Sequence, residues 1–221
     1  MKVTKYPQSC ILIETKGKRI LIDPGNLKYN NSYPENAWSD IDVLLVTHKH
    51  NDHCYDDAVK EIVKNPKTKF YTTKEVLANH PGLTAEIVKE GNILEFDDVK
   101  IEAVKAVHGY VMAFKGGKEV RENVGFIIDD GETRAYHTSD TISFDNDYEC
   151  DVIFVPISNH GVTLGPWEAA LFVQATKAKL AIPMHADSPR HPVDWEHVKK
   201  EFAVWNLKDY KILKIGESIK I

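Results

Sequence analysis

The stretch that most constrains this chain is Ile41-Asp42-Val43-Leu44-Leu45-Val46, followed at once by Thr47-His48-Lys49-His50-Asn51-Asp52-His53. The first half is short, β-branched and free of turn residues, which specifies a buried strand. Where a strand ends, side chains two apart leave the same face, so His48, His50 and Asp52 are expected to share one space. His53 joins them where the backbone turns after Asp52. The acidic start and apolar spacing of residues 56–64 predict a helix, and with it that turn. Four ligand-type groups at one strand-to-helix junction exceed what a single tetrahedral ion takes while keeping an open position. The spacing therefore points to two metals side by side, rather than to chance histidines in a polar loop.

The 221-residue length suits one domain, 1–221, with a sizeable core. Hydrophobic residues at 43% and charged residues at 28% are those of a soluble globular protein. A net charge of −5 is wrong for a general nucleic-acid binder, which needs a basic face. No apolar run approaches the roughly 20 residues of a membrane span. The first residues, Met1 to Pro7, lack the apolar core of a secretion signal. Cys10, Cys54 and Cys150 are odd in number and widely spaced, which reads as reduced thiols in a cytoplasmic protein. Cys54, beside His53, is expected to be a small buried residue on the first helical turn rather than a ligand.

Residues 9–14 and 19–22 flank Thr15-Lys16-Gly17-Lys18 as a β-hairpin, and Asp23-Pro24-Gly25 ends its second strand. A polar, aromatic loop then runs to Asp40, with Tyr29, Tyr33 and Trp38 placed to line a site. Further strands are predicted at 69–71, 100–107, 124–128, 133–136, 151–157 and 180–183, and helices at 73–79, from Gly165, and at 194–204. Residues 210–215 and 218–221 read as edge strands. The βαβ order after the metal motif implies parallel pairing mid-sheet, and the whole pattern suggests two mixed sheets face to face with helices outside.

Ligand-type residues recur just past later strands. His108 ends an alternating strand, Asp140 follows Tyr136-His137-Thr138-Ser139, and His185 follows Ile182-Pro183-Met184. Together with His-x-His-x-Asp-His, this order resembles the signature of the metallo-β-lactamase superfamily. The resemblance implies an α+β fold, a four-layer αβ/βα sandwich of two mixed β-sheets. It implies that His48, His50 and His108 hold one divalent ion, that Asp52, His53 and His185 hold another, and that Asp140 bridges them. Zinc or manganese is expected, with iron as the alternative.

Leu21-Ile22-Asp23-Pro24, Tyr136-His137-Thr138-Ser139-Asp140-Thr141, Leu164-Gly165-Pro166-Trp167-Glu168-Ala169-Ala170 and Ile182-Pro183-Met184-His185 resemble one branch of small metal-dependent hydrolases. That branch includes ascorbate-6-phosphate lactonase and, more distantly, N-acylphosphatidylethanolamine phospholipase D. His50 stands where diiron oxygen-reducing relatives carry Glu, and Asp140 where antibiotic-hydrolysing relatives carry Cys, so neither of those chemistries is expected. RNA-processing relatives carry an extra arm for which this chain has no room. Ser139 departs from the family, where Gly is expected before the bridging Asp. The polar stretch Ala186-Asp187-Ser188-Pro189-Arg190-His191 is this chain's own.

The expectation is a cytoplasmic binuclear hydrolase in which a hydroxide held between two ions attacks a carbonyl or phosphoryl centre. Asp52 belongs to its catalytic set, and His160 is expected at the active edge as substrate binder or proton donor. Two dications outweigh Asp52 and Asp140, so the expected substrate is a small anionic ester, lactone or phosphodiester, with Arg190 and His191 placed to contact it. No nucleic-acid partner is expected, and an oligomer is compatible with the sequence. Asp23 is expected both to shape its turn and to accept a hydrogen bond from a ligand histidine. His137 reads as structural, and His80 and His197 as surface residues. One rival reading is a mononuclear iron oxygenase acting on a persulfide, with Asp52, His53 or His185 partly vacant. The other is a non-catalytic metal-binding or sensing domain with a closed, fully coordinated site.

Overall fold

The computed structural model describes residues 1–26, 38–110, 119–146, 148–159, 161–189 and 191–221. In chain order the first sheet takes β1 (Lys2–Lys5), β2 (Ile11–Thr15), β3 (Lys18–Ile22) and β4 (Val43–Val46). After α1 (Asp56–Ile62) come β5 (Lys69–Thr72), α2 (Lys74–Asn79) and β6 (Glu86–Ile87). The second sheet holds β7 (Ile93–Phe96), β8 (Val99–Lys105), β9 (Val124–Asp129), β10 (Arg134–His137) and β11 (Val152–Pro156), then, beyond α3 (Pro166–Ala175), β12 (Leu180–Met184). After α4 (Trp195–Val204), β13 (Ser218–Lys220) returns to the edge of the first sheet beside β1.

The first sheet runs β13-β1-β2-β3-β4-β5-β6 and the second β12-β11-β10-β9-β8-β7. Strands β3 to β6 pair in parallel, as do β10, β11 and β12, and the remaining pairs are antiparallel. Strand β4 is buried throughout because each of its faces is covered. Val43 and Leu45 enter a core shared by both sheets, with Phe126 and Phe154 opposite. Leu44 and Val46 face outward onto Val59 and Ile62 of α1 and Val76 of α2. The second sheet does the same: Val152 and Phe154 face the shared core, while Ile153 and Val155 meet Phe172 of α3 and Phe202 of α4. The result is the expected helix–sheet–sheet–helix sandwich.

Local chemistry matches local structure where the turn signals were strong. Lys16 and Gly17 take φ of 46° and 72° in the β2–β3 hairpin, the left-handed pair a two-residue turn needs. Thr73 and Asp194 cap α2 and α4 with their side-chain oxygens, and Pro166 opens α3. The C-terminal strand expected at 210–215 does not form; Tyr210 makes only an isolated bridge to Ala181, and Lys211 N–H donates to the Ala181 carbonyl at 2.8 Å. That segment packs Leu213 into the shared core without joining the ladder. Strands β1, β6 and β7 were not anticipated from the sequence; β6 and β7 lack a strongly buried face, which is the signal that pattern reading uses. No helix among the described residues is long and apolar enough to cross a membrane.

Candidate metal centre

Strands β4, β8, β10 and β12 all point their C-terminal ends to one edge of the sandwich, and each delivers ligand-type residues there. After β4 the backbone turns so that the N–H groups of His53 and Cys54 both donate to the His50 carbonyl, at 2.9 and 2.8 Å. This turn falls within the motif and divides it. His48, His50 and Asp52 come to one centre, as strand alternation predicts, but are divided between two ligand groups of it. His48 and His50 gather with His108, whereas Asp52 gathers with His53 and His185. In each group the ligand atoms lie within 4.8 Å of one another, and a third group joins His48, His53 and Asp140.

Asp140 lies at the middle. One carboxylate oxygen, Oδ2, stands 3.1 Å from His185 Nε2, 3.4 Å from His53 Nε2 and 3.6 Å from His108 Nε2. Asp52 Oδ2 stands 3.2 Å from His185 Nε2, and His48 Nε2 3.3 Å from His50 Nδ1. Most of this is sealed from water: the Asp140 side chain is 2% exposed, but that of Asp52 is 25% exposed. Among the described residues, His53 Nε2 and Asp140 Oδ1 are buried and find no hydrogen-bond partner. Buried nitrogen and oxygen left so is costly unless something else coordinates them.

Supporting residues set which nitrogen of each imidazole faces inward. Asp23, fully buried, accepts from Thr47 N–H and Thr47 Oγ1–H at 2.8 Å each and from His53 Nδ1–H at 2.7 Å. His108 Nδ1–H donates to the Gly109 carbonyl at 2.7 Å. Each bond leaves the Nε2 lone pair aimed at the centre. The Asp23 turn reaches the motif only because Gly25 has no side chain; a Cβ there would sit 1.7 Å from the Asp52 carbonyl oxygen. His137 is structural, donating from Nε2 to the Ser9 carbonyl at 2.8 Å and accepting Ser139 N–H at Nδ1.

The backbone is strained where ligands are presented. Asp23, Ser139 and His185 have φ of 53°, 59° and 61°, each costing about 1–3 kcal/mol for a residue with a side chain. This explains why glycine is the natural residue before Asp140. Here Ser139 is held by its own bonds: Oγ–H donates to Asn123 Oδ1 at 2.6 Å, and Asn123 Nδ2 donates to the Asp140 carbonyl at 2.7 Å. His185 is held from the far side, its N–H donating to the Gln8 carbonyl at 3.0 Å. Lys5, 1% exposed, pairs with Asp187 at 2.5 Å, and Asp187 also accepts Gln8 N–H. Sequence reading missed Lys5, Gln8, Asp187 and Asn123, because nothing local marks residues that act across the two sheets.

The charges follow from this geometry. Burial pulls His185 down, but Asp140 and Asp52 outweigh it and push its pKa up to about 10. Burial likewise opposes His53, and Asp140 and Asp23 on its two sides hold it well above its ordinary value. Burial raises Asp140 and Asp52, yet the neighbouring histidines, His185 and His53 foremost, bring both below the usual carboxylate range. His48 goes the other way: burial, then His53 and His108, depress it well below an ordinary histidine. The cluster demands positive charge, met either by protons on His53 and His185 or by cations on the same nitrogens. Three-atom donor sets of imidazole and carboxylate that meet at Asp140 fit divalent zinc-like ions.

Three sequence expectations need correction or placing. His80 is not a surface residue. It is buried under the motif loop, with Nε2 donating to the Lys49 carbonyl at 2.9 Å and Nδ1 2.5 Å from Asp56 Oδ1. Trp38 does not line the centre but packs edge-on against Tyr6, ring centroids 5.6 Å apart, in the outer core of the first sheet. Cys54 is buried just before α1, its thiol pushed up by burial, and is not grouped with the central residues. His191 and His197 are exposed, and Tyr29, Tyr33, His160 and Arg190 lie outside the described residues.

A family model described as a β-lactamase superfamily domain matches residues 2–185. A UPF0173 metal-dependent hydrolase of Methanopyrus kandleri is 34% identical over 234 residues, covering 99% of each chain. A second, from Thermococcus onnurineus, is 34% identical over 220 residues and covers 92% of each. Among solved structures, the metallo hydrolase Igni18 of Ignicoccus hospitalis superposes with a TM-score of 0.79 at 23% identity, over 99% of this chain and 97% of that one. An isothiocyanate hydrolase from Delia radicum gut bacteria has the same fold, with a TM-score of 0.79 at 16% identity over 100% of this chain and 99% of that one.

Proposed function

The chain belongs to the metallo-β-lactamase superfamily, and from that premise we propose that it is a binuclear metal-dependent hydrolase of a small ester, lactone or phosphodiester. The observation that carries this reading is the pair of ligand groups, His48/His50/His108 and Asp52/His53/His185, meeting at Asp140. Two groups that each supply three donors and share an anion support two divalent ions, zinc or manganese, better than a single iron with a vacant neighbour. Such ions, when bound, supply Lewis acidity for the substrate oxygen and bring the pKa of a water towards neutrality.

The chain's own residues do the rest. Asp140, central and sealed, offsets charge between the two groups. Asp23 and the Gly109 carbonyl keep His53 and His108 in the tautomer that presents Nε2. Asp52 is the central carboxylate that solvent reaches, so it is the one placed to accept a proton from attacking water and return it to a leaving group. His160 is assigned the second proton-transfer or substrate-binding role from its place after β11. The excess of positive charge over Asp52 and Asp140 favours an anionic reacting group over a neutral one.

Elemental analysis of protein purified without added metal, then after loading, tests the centre; close to two divalent ions per chain is the expected result. A ceiling of one, with iron alone restoring activity, overturns the binuclear reading. Substrate class is tested at matched concentration with a phosphorylated lactone, a chromogenic phosphodiester, an acyl thioester, an isothiocyanate, a β-lactam and a short RNA. Fastest turnover on the RNA or the β-lactam refutes the assignment, and no turnover on any supports a non-catalytic metal-binding domain.

A further inference from the structure

A cavity of about 510 Å³ opens just past the C-terminal end of β11, between the first turns of α3 and α4. It adjoins the metal centre through its inner wall. Thr163 Oγ1 donates to the Thr141 carbonyl at 3.0 Å and accepts Thr141 N–H at 3.2 Å, and Thr141 follows Asp140 directly. Gly109, next to His108, donates its N–H to the Val162 carbonyl at 2.8 Å, and a Cβ on Gly109 would stand 2.7 Å from Val162 Cα. The loop carrying Val162 and Thr163 is therefore clamped against the residues that follow two of the ligands.

The chemistry of the walls is apolar at the mouth. Ile142, two residues past Asp140, is 43% exposed, and Trp167 on the first turn of α3 is 46% exposed; both line this one cavity, with Val193 across from them. Large apolar side chains scattered singly on a surface mean little, but two facing one concavity beside a reactive centre mark a ligand wall. The described lining residues include no Lys or Arg, and the acidic groups among them are Glu168 and Asp194. A negatively charged group placed here meets two carboxyl side chains, against which the described lining residues set one imidazole, that of His197.

We propose that this cavity takes the part of the substrate remote from the reacting bond, and that this part is an uncharged apolar group, aryl or branched alkyl, packed between Trp167 and Ile142. The proposal rests on the hydrolase reading and narrows its substrate. Any negative charge belongs at the reacting group, facing the centre, and not at the far end. Trp167 is then a specificity residue whose flat ring discriminates among substituents, while the reaction itself does not depend on it.

The test compares three acetate esters with alike leaving groups on metal-loaded protein: 2-phenylethyl acetate, ethyl acetate and 4-(2-acetoxyethyl)benzoate, which adds a remote carboxylate. The expected kcat/KM for the phenylethyl ester exceeds that for the ethyl ester about tenfold or more, and the benzoate falls well below the phenylethyl ester. Trp167→Ala should remove most of the phenylethyl preference, chiefly through KM. Ile142→Ser should act in the same direction more weakly. A preference ratio unmoved by Trp167→Ala, or a benzoate that is the better substrate, overturns the proposal. Should no ester be turned over, saturation-transfer NMR with 2-phenylethanol separates the two readings. Binding weakened by Trp167→Ala sustains the cavity assignment, the hydrolase reading then being decided by the lactone and phosphodiester members of its own panel, whereas absence of binding, or binding unmoved by Trp167→Ala, overturns the cavity assignment.

Discussion

Asp23→Asn isolates the effect of a single buried proton. The substitution is nearly isosteric, and Asn tolerates the φ of 53° at this position, so the turn survives. Asp23 now accepts three hydrogen bonds: Thr47 N–H on Oδ1, and both Thr47 Oγ1–H and His53 Nδ1–H on Oδ2. An amide has one oxygen and one donor group. With its oxygen towards Thr47 N–H, its NH₂ faces His53 Nδ1–H; flipped, the NH₂ faces Thr47 N–H instead. In the first orientation His53 escapes the clash by moving its proton to Nε2, which removes the lone pair aimed at the centre. Losing one charge-assisted bond and forcing a donor against a donor costs about 2–3 kcal/mol. At about 1.4 kcal/mol per tenfold, that is roughly a 30- to 150-fold loss of affinity for the ion held by Asp52, His53 and His185. Competition titration against a chromogenic chelator, read with elemental analysis of dialysed protein, measures it. Affinity within about threefold of wild type, in a variant that unfolds at the wild-type denaturant midpoint, would refute the role assigned to Asp23.

Asp140→Ala should lower activity on the order of a thousand-fold or more in a folded protein, whereas Cys54→Ala should change it little; steady-state kinetics showing equal damage would mean the ligand set is misassigned. His185 has its pKa raised from 6.5 to about 10 by Asp140 and Asp52, so in chelated protein its stabilisation is full below pH 6.5 and lost as pH rises through about 10. Chemical denaturation should show stability falling across that window, and calorimetry of metal binding near pH 8 should show proton release in buffers of different ionisation enthalpy; a flat profile with no release contradicts the charge assignment. Lys5→Met should destabilise the fold by about 2–3 kcal/mol, because it strands Asp187, which is 21% exposed and so only partly rescued by water. Urea midpoints measure that loss, and a change under about 0.5 kcal/mol would show that the pair does not brace the His185 loop.

Much of the candidate site was legible because its information is local. His48, His50, Asp52 and His53 sit at spacings that only a strand end followed by a turn can use, and Gly25, Lys16-Gly17 and Pro166 announce their turns by steric rules that hold in any context. The buried strands were legible for the same reason, since β4 and β11 carry apolar residues on both faces and fit only a sheet covered on both sides. His108, Asp140 and His185 could be placed at strand ends one by one, but nothing in the chain says that three strands far apart in sequence bring them to one carboxylate oxygen.

That convergence was decided by tertiary structure, and so was the division of the motif. Strand alternation brings His48, His50 and Asp52 to one centre, but the turn closed on the His50 carbonyl places Asp52 in the ligand group of His185. His80 reads as a surface histidine by sequence, but is buried because Lys49 and Asp56 sit on either side of it once α1 and α2 pack. The Lys5–Asp187 pair spans the chain almost end to end, and a short-range pattern carries no information about so distant a partner. Residue types and spacings determine what chemistry this chain can perform. Which atoms perform it depends on long-range packing, because the strain at Ser139 and His185 and the buried charges are tolerable only once both sheets are in place.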